Sequence, residues 1–262
     1  MRAVLGLIAG LAVVAGIALL GASIPRLTAR EATPAAVVPA SPSFGPSPSP
    51  SPTVSPKPAP PVLRLSGPIP SSGSGIFEYG VEQGEVLGRT GRLYRYRVAV
   101  EPETGEDVEE FGAAVDAALG HVGSWISGGL RMQRVPSGQA HDFTVHLATR
   151  ETSGRLCAAG GVNTNINGRP YTSCRIGAKV IINLDRWRLS IDEYVAAKVP
   201  LAAYRLYVVN HEVGHRLGHR HELCPGAGRP APVMMQQTIS LKGCVANPWP
   251  YLNGRRYAGP LK

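Results

Sequence analysis

Four of the seven histidines in the chain fall within one run, HEVGHRLGHRH, at residues 211–221. His211 and His215 are four apart, so on a helix both imidazoles project from one face and can share an ion. Glu212 lies about 100° further round such a helix, where it can hold a water on that ion rather than bind the ion itself. Gly218 suits the left-handed turn that stops a helix, and the returning chain can bring His221 to a third coordination position. Three neutral imidazoles and one water form the open tetrahedral arrangement of catalytic zinc. The chemistry expected is hydrolysis: one Zn2+ lowers the pKa of its water towards about 7, Glu212 takes the proton, and a polarised carbonyl is attacked. His219 is the rival third ligand. Using it together with His215 would need helix through Gly218, at about 1 kcal/mol against alanine, so His221 is preferred.

The run matches H-E-x-x-H-x-x-G-x-x-H throughout, and on these residues the chain resembles the metzincin zinc peptidases. Its E-x-G-H stretch is especially similar to that of the matrix metalloproteinases. The resemblance implies a twisted mixed sheet above the cleft, an active-site helix, a small lower subdomain and a Met-containing turn beneath the zinc. In Ala231-Pro232-Val233-Met234-Met235-Gln236 the implied Met-turn residue is Met234, with Met235 in reserve. His219 stands where the family usually has an apolar residue. Gln236 stands where some members carry a tyrosine ligand, so no tyrosine takes that role. Tyr251 and Tyr257 are candidates to polarise a carbonyl from elsewhere. The layout is also similar to a family of exported actinobacterial proteins that carry this motif, and arginine usage of 22 against 5 lysines fits a GC-rich genome.

The elements that must position these groups lie in the last 200 of the 262 residues. Alternating apolar and polar residues from Leu93 to Val100 predict a strand, as do Phe143–Ala148 and Lys179–Leu184. A helix is expected from about Glu106 to Leu119, because Val108, Phe111, Val115 and Ala118 recur at helical spacing and Gly120 ends it. Pro200 suits a first helical position and opens the long helix that carries the histidines, to about Leu217. The fold class expected is α/β or α+β. His146 reads as an exposed strand residue, and the segment between Cys157 and Cys174, rich in Gly and Asn, as a rim of the cleft or a pinned surface loop.

Residues 1–30 are expected to be a signal anchor, because Ala3–Ile24 contains no charge over 22 residues and a spanning helix needs about 20. Residues 31–62 read as a disordered Pro/Ser-rich linker, with 11 prolines between Thr33 and Pro61, and residues 63–262 as the peptidase domain. Cys157, Cys174, Cys224 and Cys244 form an even set beyond an export segment and predict two disulfides; three pairings are open, of which the local one, 157–174 with 224–244, closes short loops and is preferred. No pair has the spacing of a four-cysteine zinc site.

The net charge of +9 would permit a nucleic-acid partner, but Arg2, Arg26, Arg30 and Lys57 against Glu31 put three of those charges outside the domain. No nucleotide fingerprint or basic–aromatic surface accompanies the rest, so nucleic acid is not an expected partner. The function expected is an extracytoplasmic zinc metalloendopeptidase held at the membrane by its N-terminal helix, or secreted if that helix is cleaved. Its partner is a peptide or protein substrate, including one associated with the cell wall. The alternatives are a non-catalytic zinc-containing surface module and an amide hydrolase of wall polymers. Glu212 weighs against the module, since a structural site needs no base.

Overall fold

The computed structural model describes residues 59–262. The expected anchor and nearly all of the linker lie outside the described residues. Among the described residues, no helix is long and apolar enough to cross a membrane.

A six-stranded mixed sheet organises the chain. Strand β1 (Glu78–Tyr79) runs antiparallel to β2 (Arg92–Val100), which pairs in parallel with β3 (Leu130–Arg134) and β4 (Phe143–Ala148). After β4 come helix α2 (Arg150–Ala159) and a small hairpin of β5 (Asn165–Ile166) and β6 (Arg169–Pro170). Strand β7 (Cys174–Ile176) is an antiparallel edge on β8 (Lys179–Asn183), which pairs in parallel with β4. Helix α1 (Val108–Gly120) precedes β3, while α3 (Leu184–Leu189), α4 (Asp192–Ala196) and α5 (Leu201–Arg216) follow β8. Beyond α5 the chain is irregular apart from β9 (Tyr251–Leu252) and β10 (Arg255–Arg256).

Register explains the core. Tyr96 faces Phe143, Val98 faces Val145 and Val100 faces Leu147, while Val145 and Leu147 face Val180 and Ile182. All of these point to one side of the sheet, because strand side chains alternate. There they pack with Phe111 and Val115 of α1, Trp187 of α3 and Tyr204, Val208 and Val209 of α5. The opposite side is also covered, by α2 and a smaller cluster of Ala148, Cys157, Cys174 and Ile181. Hence every residue of β4 is buried, as expected of an interior parallel strand.

His146 is therefore buried, not exposed as its alternation in β4 suggests. It sits edge-on to Phe77 at 4.9 Å. Helix α2 has no counterpart among the expected elements. Its inward residues are Thr152, Ser153, Gly154 and Cys157, which leave no apolar stripe to read. Small side chains are required because a Cβ at Gly154 would meet the Pro170 ring at 2.7 Å.

Helix α1 begins where Asp107 accepts hydrogen bonds from the backbone N–H of Glu109 and Glu110, at 2.9 and 2.8 Å. Buried Arg134 on β3 pairs with Asp116 and Glu109 of this helix and holds it to the sheet. Both expected disulfides are present, Cys157–Cys174 and Cys224–Cys244. The first ties α2 to the edge strand β7. The second closes the irregular C-terminal region. Two disulfides point to an extracytoplasmic location.

Candidate metal centre

Helix α5 carries His211, Glu212 and His215 in its last two turns. Its end is a Schellman turn: His219 N–H donates to Gly214 O at 3.0 Å and Gly218 N–H to His215 O at 3.2 Å. Gly218 has φ +97°, a conformation that a side chain would strain. This reversal brings His221 back against the helix, as its spacing predicts. Two backbone bonds then hold it there: Lys262 N–H donates to His221 O at 3.0 Å, and the adjoining Glu222 N–H to Met234 O at 3.1 Å.

The three imidazoles converge. His211, His215 and His221 each offer a ring nitrogen, and these atoms lie within 4.8 Å of one another. His211 Nδ1 lies 2.8 Å from Val233 O, and His215 Nδ1 lies 2.9 Å from His219 O. A carbonyl only accepts, so both Nδ1 atoms carry the hydrogen and both Nε2 atoms present lone pairs. His215 Nε2 and His221 Nε2 are 3.0 Å apart. A tetrahedral ion with bonds of about 2.0–2.1 Å needs nitrogens about 3.3–3.4 Å apart, and the group could hold a metal ion. Burial is the main force that depresses the basicity of all three histidines, and His221 is lowered to about 4. They are thus neutral near pH 7, the form that binds metal.

His219 is not part of this group. Its ring stacks on Trp125 at 4.3 Å, and its carbonyl orients His215. Met234 is fully buried in a tight turn closed by Met235 N–H donating to Pro232 O at 2.9 Å. Its sulfur lies against Gly214 of α5, where a Cβ on Gly214 would collide with it. The turn thus contributes the Val233 carbonyl to His211 and packing to the helix beneath.

Glu212 is buried and lines the same cleft of about 320 Å3 as the three histidines. Burial pushes its carboxyl up to about 8, partly offset by the Arg175 guanidinium. Val162, Asn163, Thr172 and Ser173 also line the cleft, so the segment between the first two cysteines does form a rim. Tyr251 and Tyr257 are not among the lining residues. The Tyr257 hydroxyl donates to Pro230 O at 2.9 Å. Tyr207, Gln236 and Thr238 line the cleft without any sequence signal that marks them. Tyr207 sits one turn before His211 and donates to Met235 O at 3.0 Å, tying helix to turn. Arg175, the neighbour of a disulfide cysteine, is equally unmarked.

No curated protein and no solved structure matches the chain. A family model described as "Protein of unknown function (DUF3152)" matches residues 63–252, most of the region expected to fold as one domain, and the chain belongs to that family.

Proposed function

We propose that the protein is a zinc-dependent metalloendopeptidase of metzincin type acting outside the cell. The observation that carries this reading is one juxtaposition: a buried carboxylate, Glu212, lines the same open cleft as three convergent imidazole nitrogens. The left-handed Gly218 and the turn at Met234 support the metzincin likeness. Zinc suits the donor set, since neutral imidazoles with fixed tautomers and room for one further ligand are what a catalytic zinc site requires.

When bound, zinc supplies a Lewis acid and an acidified water. Glu212 takes the water proton on its carboxylate as the water oxygen attacks the scissile carbonyl carbon. It then returns that proton to the departing amine nitrogen as the C–N bond breaks. A carboxyl pushed up to about 8 by burial is basic enough for this exchange, and a dication beside it draws the value down towards neutral pH. The Val233 and His219 carbonyls hold two of the imidazoles at fixed angles throughout. Two disulfides and the uncharged run Ala3–Ile24 support an exported protein held at the membrane.

The test is zinc content and cleavage of a peptide library and of wall fragments by the wild type and Glu212→Gln. Both proteins should carry one zinc, with turnover lower in the variant by about 10²–10⁴-fold. Equal activity in the two, or a zinc site with four protein ligands by X-ray absorption, would overturn the reading in favour of a binding module. Activity confined to wall fragments would reassign the substrate and keep the chemistry.

A further inference from the structure

The cleft has an unusual charge balance. Glu212 is the single acidic side chain among its lining residues, and the recess beside it is lined by Arg175, Arg220 and Lys262 with no acidic side chain. Arg175 borders both spaces. It stands on the edge strand β7, opposite Val180, and its neighbour Cys174 is bonded to Cys157. Its position is therefore fixed by a sheet ladder and a disulfide rather than by a mobile loop.

Its guanidinium has been left without a partner. Arg175 Nε is buried with no hydrogen bond, and none of the ion pairs among the described residues includes Arg175. Other partly or fully buried arginines of the domain are engaged: Arg134 pairs with three acids, Arg150 with Glu151 and Asp185, and Arg256 with Glu222. Lys262, exposed at the mouth of that recess, donates to the neutral Gln236 amide oxygen at 2.7 Å, and no ion pair among the described residues includes its side chain. Glu212, across the cleft, is the one acid near Arg175 and makes no direct ion pair with it, and cations that outnumber the acids of a cleft focus a positive potential on whatever enters it. A planar guanidinium offers two parallel N–H donors to a carboxylate.

We propose that Arg175, backed by Lys262, is a recognition site for a carboxylate on the substrate next to the bond to be cut. The inference rests on the hydrolase reading above and names its substrate class. The carboxylate has two sources, an Asp or Glu side chain or the free end of a chain, and both present the same planar anion to Arg175.

Four peptides test this with the full zinc-loaded protein: one bearing Glu beside the scissile bond, its Gln twin, and a pair ending one residue beyond the bond as free acid or as amide. Wild type should favour the carboxylate member by about tenfold in kcat/KM, the size of one charge-assisted hydrogen bond. The preference should act through KM, shrink with added NaCl and fall towards unity in Arg175→Gln. Arg175→Lys, which keeps the charge but loses the fork, should retain part of it. A preference in the Glu–Gln pair assigns a side-chain carboxylate, and one in the acid–amide pair a terminal carboxylate. Equal rates within both pairs, or a preference that survives in Arg175→Gln, would overturn the proposal.

Calorimetric binding of the same peptides to the zinc-loaded Glu212→Gln protein, with and without Arg175→Gln, separates it from the hydrolase reading. Binding selective for carboxylate and dependent on Arg175, in a protein whose wild type cuts no peptide, keeps this site and removes the peptidase. Cleavage without carboxylate preference does the reverse. If Arg175→Gln does not fold, the wild-type ratio and its loss in salt decide the matter alone.

Discussion

The two walls of the cleft are held by different physics. One is helix α5, which bears His211 and His215 and buries Tyr204, Val208 and Val209 against the sheet. The other is the segment after Arg216, which bears His221 and Met234 and contains no helix among the described residues. Besides the buried Val233, Met234 and Met235, that segment is held by a disulfide and by specific polar bonds. Cys224 is bonded to Cys244. The Gln237 amide donates to Pro232 O and Asn247 O, at 3.1 and 2.8 Å. Buried Glu222 accepts from Arg256 at 2.6 Å. The helical wall is placed by close packing spread over many side chains, whereas the placement of the other wall rests more on a few specific bonds. The three histidines of the candidate metal site come from both walls, so metal binding there would report on their difference.

The largest perturbations should separate the walls. Leu147→Ala, in the middle of the sheet, should lower stability by about 2–5 kcal/mol in urea unfolding while zinc affinity of the folded protein stays close to wild type. Replacing Cys224 and Cys244 together by Ser should lower stability by about 3 kcal/mol and, in contrast, weaken zinc binding, because His221 is carried by that wall. Unchanged zinc affinity in the double Ser variant would erase the distinction.

A smaller effect is expected where the walls meet. A Cβ at Gly214 would meet the Met234 sulfur and, at 2.6 Å, the Trp125 ring. Gly214→Ala should therefore cost about 1–3 kcal/mol in thermal unfolding and displace the turn that holds His211. A variant as stable as wild type, with zinc bound as tightly, would show that the two walls touch only loosely.

The mildest perturbation is pH, read as the Tm of metal-free protein. His221 and buried His146 are each lowered from 6.5 to about 4, so their folded forms bind fewer protons than the unfolded chain. Their contribution is present above about 6.5 and is lost as pH falls towards 4. Glu212 is raised from 4.5 to about 8, so its contribution has the opposite sign and is lost as pH climbs between those values. Tm should peak near pH 6.5, and zinc should flatten the alkaline side by favouring ionised Glu212. A rising Tm from pH 6.5 to 8 without zinc would contradict the burial of that carboxylate.

The parts legible in the sequence share one property: their signal is local. Val108, Phe111, Val115 and Ala118 mark a helical face within eleven residues, β4 alternates apolar with polar residues, and β8 carries the apolar run Val180-Ile181-Ile182. Helix α2 is illegible because its buried face is Thr, Ser, Gly and Cys, a pattern with no hydrophobic period. His146 reads wrongly because alternation shows which residues share a face, not whether a second layer covers that face.

Spacing along the chain pointed to His211, His215 and His221 as the converging imidazoles, and the stacking of His219 on Trp125 in the folded chain removed the rival. One helix turn puts His211 and His215 side by side, and a glycine able to take φ +97° lets the chain return with His221. Spacing also favoured the local pairing of the four cysteines among three possible ones, and the structure has that pairing. What surrounds those groups is written nowhere along the chain and follows from packing alone. Val233 and Arg175 are 22 and 36 residues from His211, and neither distance has a period that could announce a contact. The carbonyl that fixes a tautomer and the cation left open in the cleft come from a sheet edge and a returning loop, which meet only once the core has closed.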